Sequence, residues 1–534
     1  MSTAKKVLVI GAGASGLPAI KTALEYGFMV VCYEKAKDIG GLWRFKSAPE
    51  PDEGTVMRST VINTSKEMTA YSDFPPPDYA ANYMHNREML DYLRKYAEKF
   101  DLVKHIKFQR KVLNIERTKD FSETGRWNVT YEDISSGEIL HEIFDGVMVC
   151  QGHHSVPHWP APFAGQALFK GKIMHSHSYN CANGFDDQTV VVVGIGNSGG
   201  DIAVELSKVA NKVYLSTRSG SWIMNRVWDK GEPSDLLLLN RFTFAVRSLA
   251  PKSLQNGILE RKLNQRFDHG RFGLRPEHRV LQAHLTVNDE LPNRIISGTV
   301  VVKPNILKFS ETGVVFDDGT TVQNVDTVIF ATGYSFNFDN IENGRFIEVK
   351  DNQVLLYKFM FPVGKFDDIE NVRKNSLAII GLIQPTGSIM PISEMQCRVF
   401  CAQLAGEITL PSQKEMLSDA LKHVLKNKRR FVDRQRHTLQ VYYVTYMDAL
   451  ARLLHAKPKI SKYLVTDPKL ATKLIFHGLV PYQYRLQGSH KWDGAREAIL
   501  GVEERVFEST RTRRTPQTEK AKPSNKIFAF KAFF

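Results

Sequence analysis

A four-residue apolar run that enters a G-x-G-x-x-G turn occurs twice in this chain. The first copy runs Val7-Leu8-Val9-Ile10 into Gly11-Ala12-Gly13-Ala14-Ser15-Gly16, and a helical stretch follows through Leu24. The second runs Val190-Val191-Val192-Val193 into Gly194-Ile195-Gly196-Asn197-Ser198-Gly199, followed by Gly200 and Asp201. In such a strand-turn-helix unit the first glycine permits the tight turn, the second lets the backbone approach a pyrophosphate, and the third lets helix pack on strand. A chain built on this unit is confined to parallel sheets covered by helices. Two such loops imply two dinucleotides, and an α/β fold with two Rossmann-like dinucleotide-binding domains.

The residue at the tip of the next strand selects the nucleotide. After the first loop, Phe28-Met29-Val30-Val31-Cys32-Tyr33 ends in Glu34, a carboxylate placed to accept from ribose hydroxyls and to repel a 2′-phosphate. This selects FAD or NAD over NADP. After the second, Lys212-Val213-Tyr214-Leu215 ends in Ser216-Thr217-Arg218, with no acid and with a guanidinium able to pair with a 2′-phosphate. This selects NADP.

At 534 residues the chain is long enough for two or three domains, and its composition is that of an ordinary globular protein. The formal charge of +14 is dispersed, with local density only at Lys426-Asn427-Lys428-Arg429-Arg430 and Arg511-Thr512-Arg513-Arg514. Neither run is interleaved with base-stacking aromatics, so nucleic acid is not an expected partner; anionic cofactors and an acidic membrane surface are. Cys32, Cys150, Cys181, Cys397 and Cys401 form no C-x-x-C pair, which suits a reducing compartment, and no metal site is expected. Gly11 and Gly13 interrupt the N-terminal apolar stretch, so no secretion signal is expected, and no run approaches the roughly 18 apolar residues of a membrane span. Two segments are apolar enough to note. Leu236-Leu237-Leu238-Leu239 with Phe242, Phe244 and Val246 suits the core better than a bilayer. The tail Lys526-Ile527-Phe528-Ala529-Phe530-Lys531-Ala532-Phe533-Phe534 could lie in an interface but not cross one.

Strand and helix signals alternate to Gly146-Val147-Met148-Val149, begin again near Pro157, and close at Asp326-Thr327-Val328-Ile329-Phe330. The expected plan is one dinucleotide domain interrupted by another. Residues 1–156 form the first part of the FAD-binding domain, and 157–332 the NADP-binding domain with a basic helical insertion over about 222–289. Residues 333–505 form the second part of the FAD-binding domain with a helical C-terminal region, and 506–534 a basic linker with a short apolar tail.

Further motifs carry a family resemblance. Gly40-Gly41-Leu42-Trp43 follows Glu34; Phe169-Lys170-Gly171-Lys172-Ile173-Met174-His175-Ser176-His177-Ser178-Tyr179 fits F-x-G-x-x-x-H-x-x-x-Y; Ala331-Thr332-Gly333-Tyr334 and Lys491-Trp492-Asp493-Gly494-Ala495-Arg496 lie beyond. With the two glycine loops, these make the chain resemble the animal flavin-containing monooxygenases of the dimethylaniline monooxygenase type over nearly its whole length. Gly194 to Asp201 and Leu291-Pro292-Asn293-Arg294-Ile295-Ile296-Ser297-Gly298 are most similar to the form associated with Baeyer-Villiger oxidation.

The resemblance implies an enzyme in which NADPH reduces FAD and the reduced flavin captures dioxygen as a C4a-(hydro)peroxyflavin. That adduct oxygenates small lipophilic compounds at nitrogen, sulfur or a carbonyl. The cofactor supplies the reactivity, so few acid-base residues are needed. FAD is then expected on Gly11, Ala12, Gly13, Ala14, Ser15, Gly16, Glu34, Gly41, Leu42, Trp43, Asn63 and Thr64. NADPH is expected on Gly194, Gly196, Asn197, Ser198, Gly199, Gly200, Asp201, Thr217 and Arg218. Asn63 matches the family's asparagine beside the flavin and is the expected catalytic residue, a neutral amide that orients the peroxide without protonating it. Arg58 could balance the reduced flavin's charge. His175 and Tyr179, like His153 and His154, are expected to hold the domain crossing, while His284, Asn288 and Asp289 lie where the family lines its substrate tunnel.

Three positions depart from the pattern: Ser219 replaces a second arginine after Arg218, Leu285 replaces a proline after the tunnel histidine, and the tail is short and contains Lys526 and Lys531. The resemblance implies the endoplasmic reticulum membrane, with the cytoplasm as alternative because of that tail; the oligomeric state stays open. A flavin disulfide reductase would need a cysteine pair after the first loop, and there is none. Baeyer-Villiger oxidation and uncoupled NADPH oxidation releasing hydrogen peroxide are the alternatives within the resemblance. A flavoprotein that serves only as a redox module would show loss of a glycine loop or of Asn63, and both loops and Asn63 are present.

Overall fold

Runs of β-branched residues with no polar alternation suit strands buried on both faces, and here they become two parallel sheets. The computed structural model describes residues 4–363, 374–432, 434, 437–513 and 515–516. Strands β1 (Lys6–Ile10), β2 (Met29–Glu34), β3 (Ile106–Phe108) and β4 (Gly146–Val149) belong to the first sheet. β5 (Lys172–His175), β6 (Thr189–Val193), β7 (Lys212–Ser216), β8 (Val300–Lys303) and β9 (Thr327–Phe330) form the second, and β10 (Leu377–Ile379) returns to the first. The orders are β10-β4-β1-β2-β3 and β8-β7-β6-β9-β5, every pairing parallel. Each glycine loop thus leaves the central strand of its sheet: Leu8 pairs with Val31 and Val147, and Val192 with Leu215 and Ile329.

The two loops repeat one set of steric demands. Gly11 and Gly194 have φ of +96° and +109°, and a Cβ there would lie 2.8 Å from the Cys150 carbonyl oxygen and 2.5 Å from that of Ala331. At the start of helices α1 (Gly16–Glu25) and α2 (Asn197–Leu206), a Cβ on Gly16 would lie 1.8 Å from the Gly11 oxygen, and one on Gly199 1.9 Å from the Gly194 oxygen. Only glycine lets the helix start this close to the strand end. The middle glycine differs: around Gly196 a Cβ would meet nothing within 4 Å.

A large core spans the first sheet and the C-terminal helices, and two smaller cores cover the second sheet. Helix α3 (Met390–Ala405), buried along nearly its whole length, lies on α1. Ser393 Oγ contacts Ser15 Oγ at 2.9 Å, and Glu394 accepts from Ser72 N (2.7 Å), Ser72 Oγ (2.7 Å) and Arg485 Nη2 (3.0 Å). These buried charges are paired and fully hydrogen-bonded, as their desolvation requires. The five cysteines are free thiols, with Cys397 and Cys401 inside α3.

The segment between β7 and β8 leaves the second sheet, forms the short helices Ser234–Leu238, Arg241–Leu249 and Lys252–Asn264, and returns through Thr286–Val287, paired in parallel with Ile223–Met224. The leucine run divides. Leu237 is buried, Leu236 and Leu239 pack against the core, and Leu238 and Leu239 line a cavity, whereas Phe244 and Val246 lie on the surface beside the fully exposed Leu249. Among the described residues no helix is long and apolar enough to cross a membrane. The tail 526–534 and Arg514 lie outside the described residues.

The contrast between the glycines is testable by thermal unfolding. Gly199→Ala forces a methyl group into the Gly194 carbonyl and should cost about 1–3 kcal/mol. Gly196→Ala faces open space and should stay within about 0.5 kcal/mol of the parent. Equal melting temperatures for the two variants would contradict this packing.

Candidate active site

The first loop, the turn after β2 and the segment after Val61 enclose a cavity of about 1260 Å³. Gly11, Gly13, Ala14 and Ser15 line it, with Glu34 at the tip of β2 and Gly41-Leu42-Trp43 in a short 3-10 turn above. That turn is pinned by Gly40 N–H donating to the Ala12 carbonyl at 3.0 Å, and Gly41 approaches Gly13 so closely that a Cβ on it would lie 3.2 Å from the Gly13 Cα. Ala12 and Gly16 serve as backbone, buried behind the loop. The Glu34 carboxylate accepts from Ala12 N (2.6 Å) and Ala36 N (2.8 Å), which fixes its position while leaving lone pairs for hydroxyl donors. Among the described residues the amides of Gly13, Ala14 and Ser15 have no hydrogen-bond acceptor. Three free N–H donors at the start of α1, in a cradle without side chains, fit a pyrophosphate. The site therefore has the shape and donor set of a dinucleotide cofactor.

Asn63 and Thr64 line the same cavity. The Asn63 amide is oriented by a residue 163 positions away: Arg226 Nη2 donates to its Oδ1 at 2.7 Å. A guanidinium only donates, so the carbonyl end of Asn63 must face it, and the NH2 end is left to donate into the cavity. Arg226 also donates through Nε to the Ile62 carbonyl (3.0 Å), and is held by Asp289, which accepts from Arg226 N (2.9 Å) and Nη1 (2.7 Å). One residue further along, Ser65 N–H donates to Asp235 Oδ2 at 2.6 Å. Asp235 also lines the cavity, and burial raises its carboxyl to about 6. The insertion thus grips the Asn63 segment at two points.

Thr217 and Arg218, at the tip of β7, line a separate cavity of about 810 Å³. Asn197 lines the first cavity, and the amides of Gly196, Asn197 and Ser198 have no acceptor among the described residues. The insertion's return strand is tied to this loop: Thr286 Oγ1 donates to the Ile195 carbonyl (2.6 Å), and Val287 N to Asn197 Oδ1 (2.9 Å). Two expected cofactor positions are turned elsewhere. Asp201 accepts from Asn288 Nδ2 at 2.8 Å, its carboxyl raised to about 6 by burial, and Gly200 faces Thr286 and Asn288. Both lie against the insertion and line neither cavity. Gly194 and Gly199 shape the turn, and Ser198 is exposed. Ser219, which stands where a second arginine was expected, accepts from Arg434 Nη2 at 2.7 Å. Arg434 lies near Arg218, and its acidity is strengthened first by burial and then by that charge.

The remaining expected positions are also placed. Arg58 does not reach the cavity; its guanidinium lies 5.1 Å from the Phe45 ring, on the surface. His175 and Tyr179 are buried at the domain crossing. His175 Nδ1 accepts from His177 N (3.1 Å) and is held neutral by burial at about 4, and its ring stands 5.5 Å from Tyr334. His153 and His154 line the cavity at this crossing, and His284 lines it from the insertion, while Asn288 and Asp289 act as braces behind it. Arg226, Asp235 and Arg434 went unnoticed in the sequence. Each is a single polar residue outside any motif, and the nearest signal for Arg226 and Asp289 was their joint placement at the ends of the insertion.

Three comparisons with known proteins bear on this geometry. The family described as flavin-binding monooxygenase-like matches residues 4–534. Flavin-containing monooxygenase 5 of Oryctolagus cuniculus is 48% identical over 512 residues, 96% of this chain and 94% of that protein. Among solved structures, S-allyl-L-cysteine S-oxygenase from Allium sativum superposes with a TM-score of 0.63 at 22% identity, covering 93% of this chain and 99% of that one. Cyclohexanone monooxygenase from Rhodococcus sp. Phi1, bound to NADP+, does so with a TM-score of 0.56 at 16% identity, covering 85% and 98%. The two solved structures share the fold; the match along nearly the whole chain shows the family. The chain belongs to the flavin-binding monooxygenase-like family and is an enzyme of the flavin-containing monooxygenase type.

Proposed function

We propose that this monooxygenase holds FAD at the first loop and NADPH at the second, and oxygenates small lipophilic compounds bearing a soft nitrogen, sulfur or carbonyl group. The observation that carries the reading is the Asn63 amide, oriented by Arg226 with its donor end toward the cavity that also contains the first loop. FAD, held by the first loop and Glu34, would supply the redox chemistry between NADPH and dioxygen. The chain's own residues bind, orient and exclude water. The loop amides and Glu34 seat the nucleotide, Asn63 donates one neutral hydrogen bond at the oxygen site, and Leu238, Leu239, Leu259 and Leu285 give the cavity apolar walls. A dry cavity with a neutral donor protects a reactive oxidant from proton-driven decay.

Arg218 and Arg434 side by side supply two guanidinium groups for a 2′-phosphate, so the chain carries from a distant segment what Ser219 lacks. This weighs against peroxide leakage as the main activity. Whether ketones or heteroatoms are preferred turns on the proton state of the bound oxygen species, and the Baeyer-Villiger reading is the second one because of the resemblance carried by Gly194 to Asp201 and Leu291 to Gly298. We place the protein at the endoplasmic reticulum membrane by peripheral contact, through exposed Val246, Leu249 and Leu254 beside the cavity residue Phe244.

Two sets of variants test this. Asn63→Ala should retain bound flavin yet lose product formation by about 100-fold, with NADPH consumption diverted to hydrogen peroxide. Arg226→Gln should weaken product formation less, by about tenfold, because Asn63 remains but is free to rotate. Unchanged product per NADPH in Asn63→Ala would refute the assignment. For the second loop, Arg218→Ala should raise KM for NADPH about tenfold or more and leave KM for NADH unchanged; an equal rise for both would remove Arg218 from the phosphate site.

A further inference from the structure

Of the lysines and arginines that line the cavity containing Asn63, four come from the insertion and the C-terminal helices, far in sequence from both glycine loops: Arg247, Lys252, Lys426 and Arg430. They come from three separate helices, Arg241–Leu249, Lys252–Asn264 and Gln413–Arg430. Among the described residues none of the four forms an ion pair. Their mutual proximity shows in their acidities. Burial lowers Arg247, and lowers Arg430 to about 10 with the Arg247 charge adding to the effect. Lys252 is lowered by burial and then by Arg430, Arg247 and Lys426 together. Like charges gathered without a counter-ion are unfavourable, and most surface lysines avoid the arrangement. Around them the wall is apolar or aromatic: Phe244, Leu259 and Phe431 line the cavity, and the Arg430 guanidinium stacks 3.8 Å from the Tyr442 ring.

We propose that this cluster is a binding site for the anionic head of an amphiphilic substrate, of the long-chain carboxylate class, whose apolar body extends along the cavity toward Asn63. An anion in the cluster meets four cations with no acidic partner among the described residues, while Leu238, Leu239, Leu259 and Leu285 of the same cavity offer apolar wall to an alkyl chain. The arrangement discriminates by charge: a neutral lipophile gains the walls alone, a carboxylate gains the walls and the cations. The orientation of a bound chain relative to the flavin rests on the monooxygenase reading; the anion site itself does not.

Equilibrium binding of an unreactive matched pair, decanoate and decanol, to the flavin-loaded full-length protein separates the two claims, since neither compound needs to be oxygenated. Titration calorimetry at low ionic strength should show decanoate binding about tenfold tighter than decanol, a preference that shrinks as salt is added. Lys252→Gln and Lys426→Gln, both at exposed positions where folding tolerates the change, should together abolish the preference, and Lys252→Arg with Lys426→Arg should restore it. Equal binding of the two compounds, or a preference that survives the double glutamine variant, would overturn the proposal. So would a double variant that raises KM for NADPH, which would assign the cluster to the cofactor. Loss of binding to phosphatidylserine vesicles with the decanoate preference intact would also overturn it, by making the cluster a lipid-headgroup face. A confirmed preference combined with failure to oxygenate any sulfide or ketone would leave the anion site standing and refute the functional reading instead.

Discussion

Everything at this site depends on a contact that only glycine permits: the first turn of a helix set against the carbonyl oxygen of the glycine that ends the strand. At Gly16 and at Gly199 the space for a side chain is under 2 Å. Because the chain enters the helix there, the amides of Gly13, Ala14 and Ser15 in one copy and of Gly196, Asn197 and Ser198 in the other have no carbonyl to bond among the described residues. The positive φ at Gly11 and Gly194 then turns the chain beneath the strand that returns alongside, whose Cys150 and Ala331 carbonyls close the space from the other side. A parallel sheet alone would place the strands correctly; the missing Cβ atoms convert its carboxyl edge into a cradle for an anion.

Around that cradle the two dinucleotide units are joined by polar contacts rather than by a shared core. The two sheets keep separate hydrophobic clusters. The links between them are directional: Arg226 to Asn63 and the Ile62 carbonyl, and Ser65 to Asp235, while Arg226 to Asp289, Thr286 to the Ile195 carbonyl and Val287 N to Asn197 Oδ1 brace the insertion within the second unit. Several involve a charged partner in a partly buried setting, where hydrogen bonds are strong and strict in geometry. The Asn63 amide itself is oriented by Arg226, a guanidinium that stays charged, so its orientation does not depend on a titration.

The sequence made the cradles legible because their requirements are local. Six consecutive residues set each loop, the strand tip Glu34 follows at a fixed distance, and Asn63 falls in a segment that resembles a known family. The braces were not legible. Arg226 and Asn63 are 163 positions apart, and nothing in the periodicity of either segment distinguishes a clamping arginine from a solvated one. The partner of Asp201 was not legible either: adjacency to the loop suggested cofactor contact, and the structure shows its carboxylate accepting from Asn288. Ser219, expected to loosen the grip on the nucleotide, accepts a hydrogen bond from Arg434, which comes from a segment with no motif. The leucine run, read as core, divides between core and cavity wall, because its helix is short and turns sharply before Phe244.

The electrostatics of the cavity are uneven along its length, and this bears on which molecules can lie in it productively. Beside the Asn63 segment stands Asp235, buried and raised to about 6, so at neutral pH it is mainly ionised and its negative charge is poorly screened. At Arg247, Lys252, Lys426 and Arg430 the sign is reversed. At Asn63 itself the Arg226 guanidinium, held by Asp289, stands beside the amide, so that end combines a paired cation with the buried Asp235, whereas the four cations of the cluster have no acidic partner among the described residues. On the anion-site proposal, that contrast is what would draw an anionic head to the cluster, while an alkyl chain is indifferent to the field and follows the apolar wall.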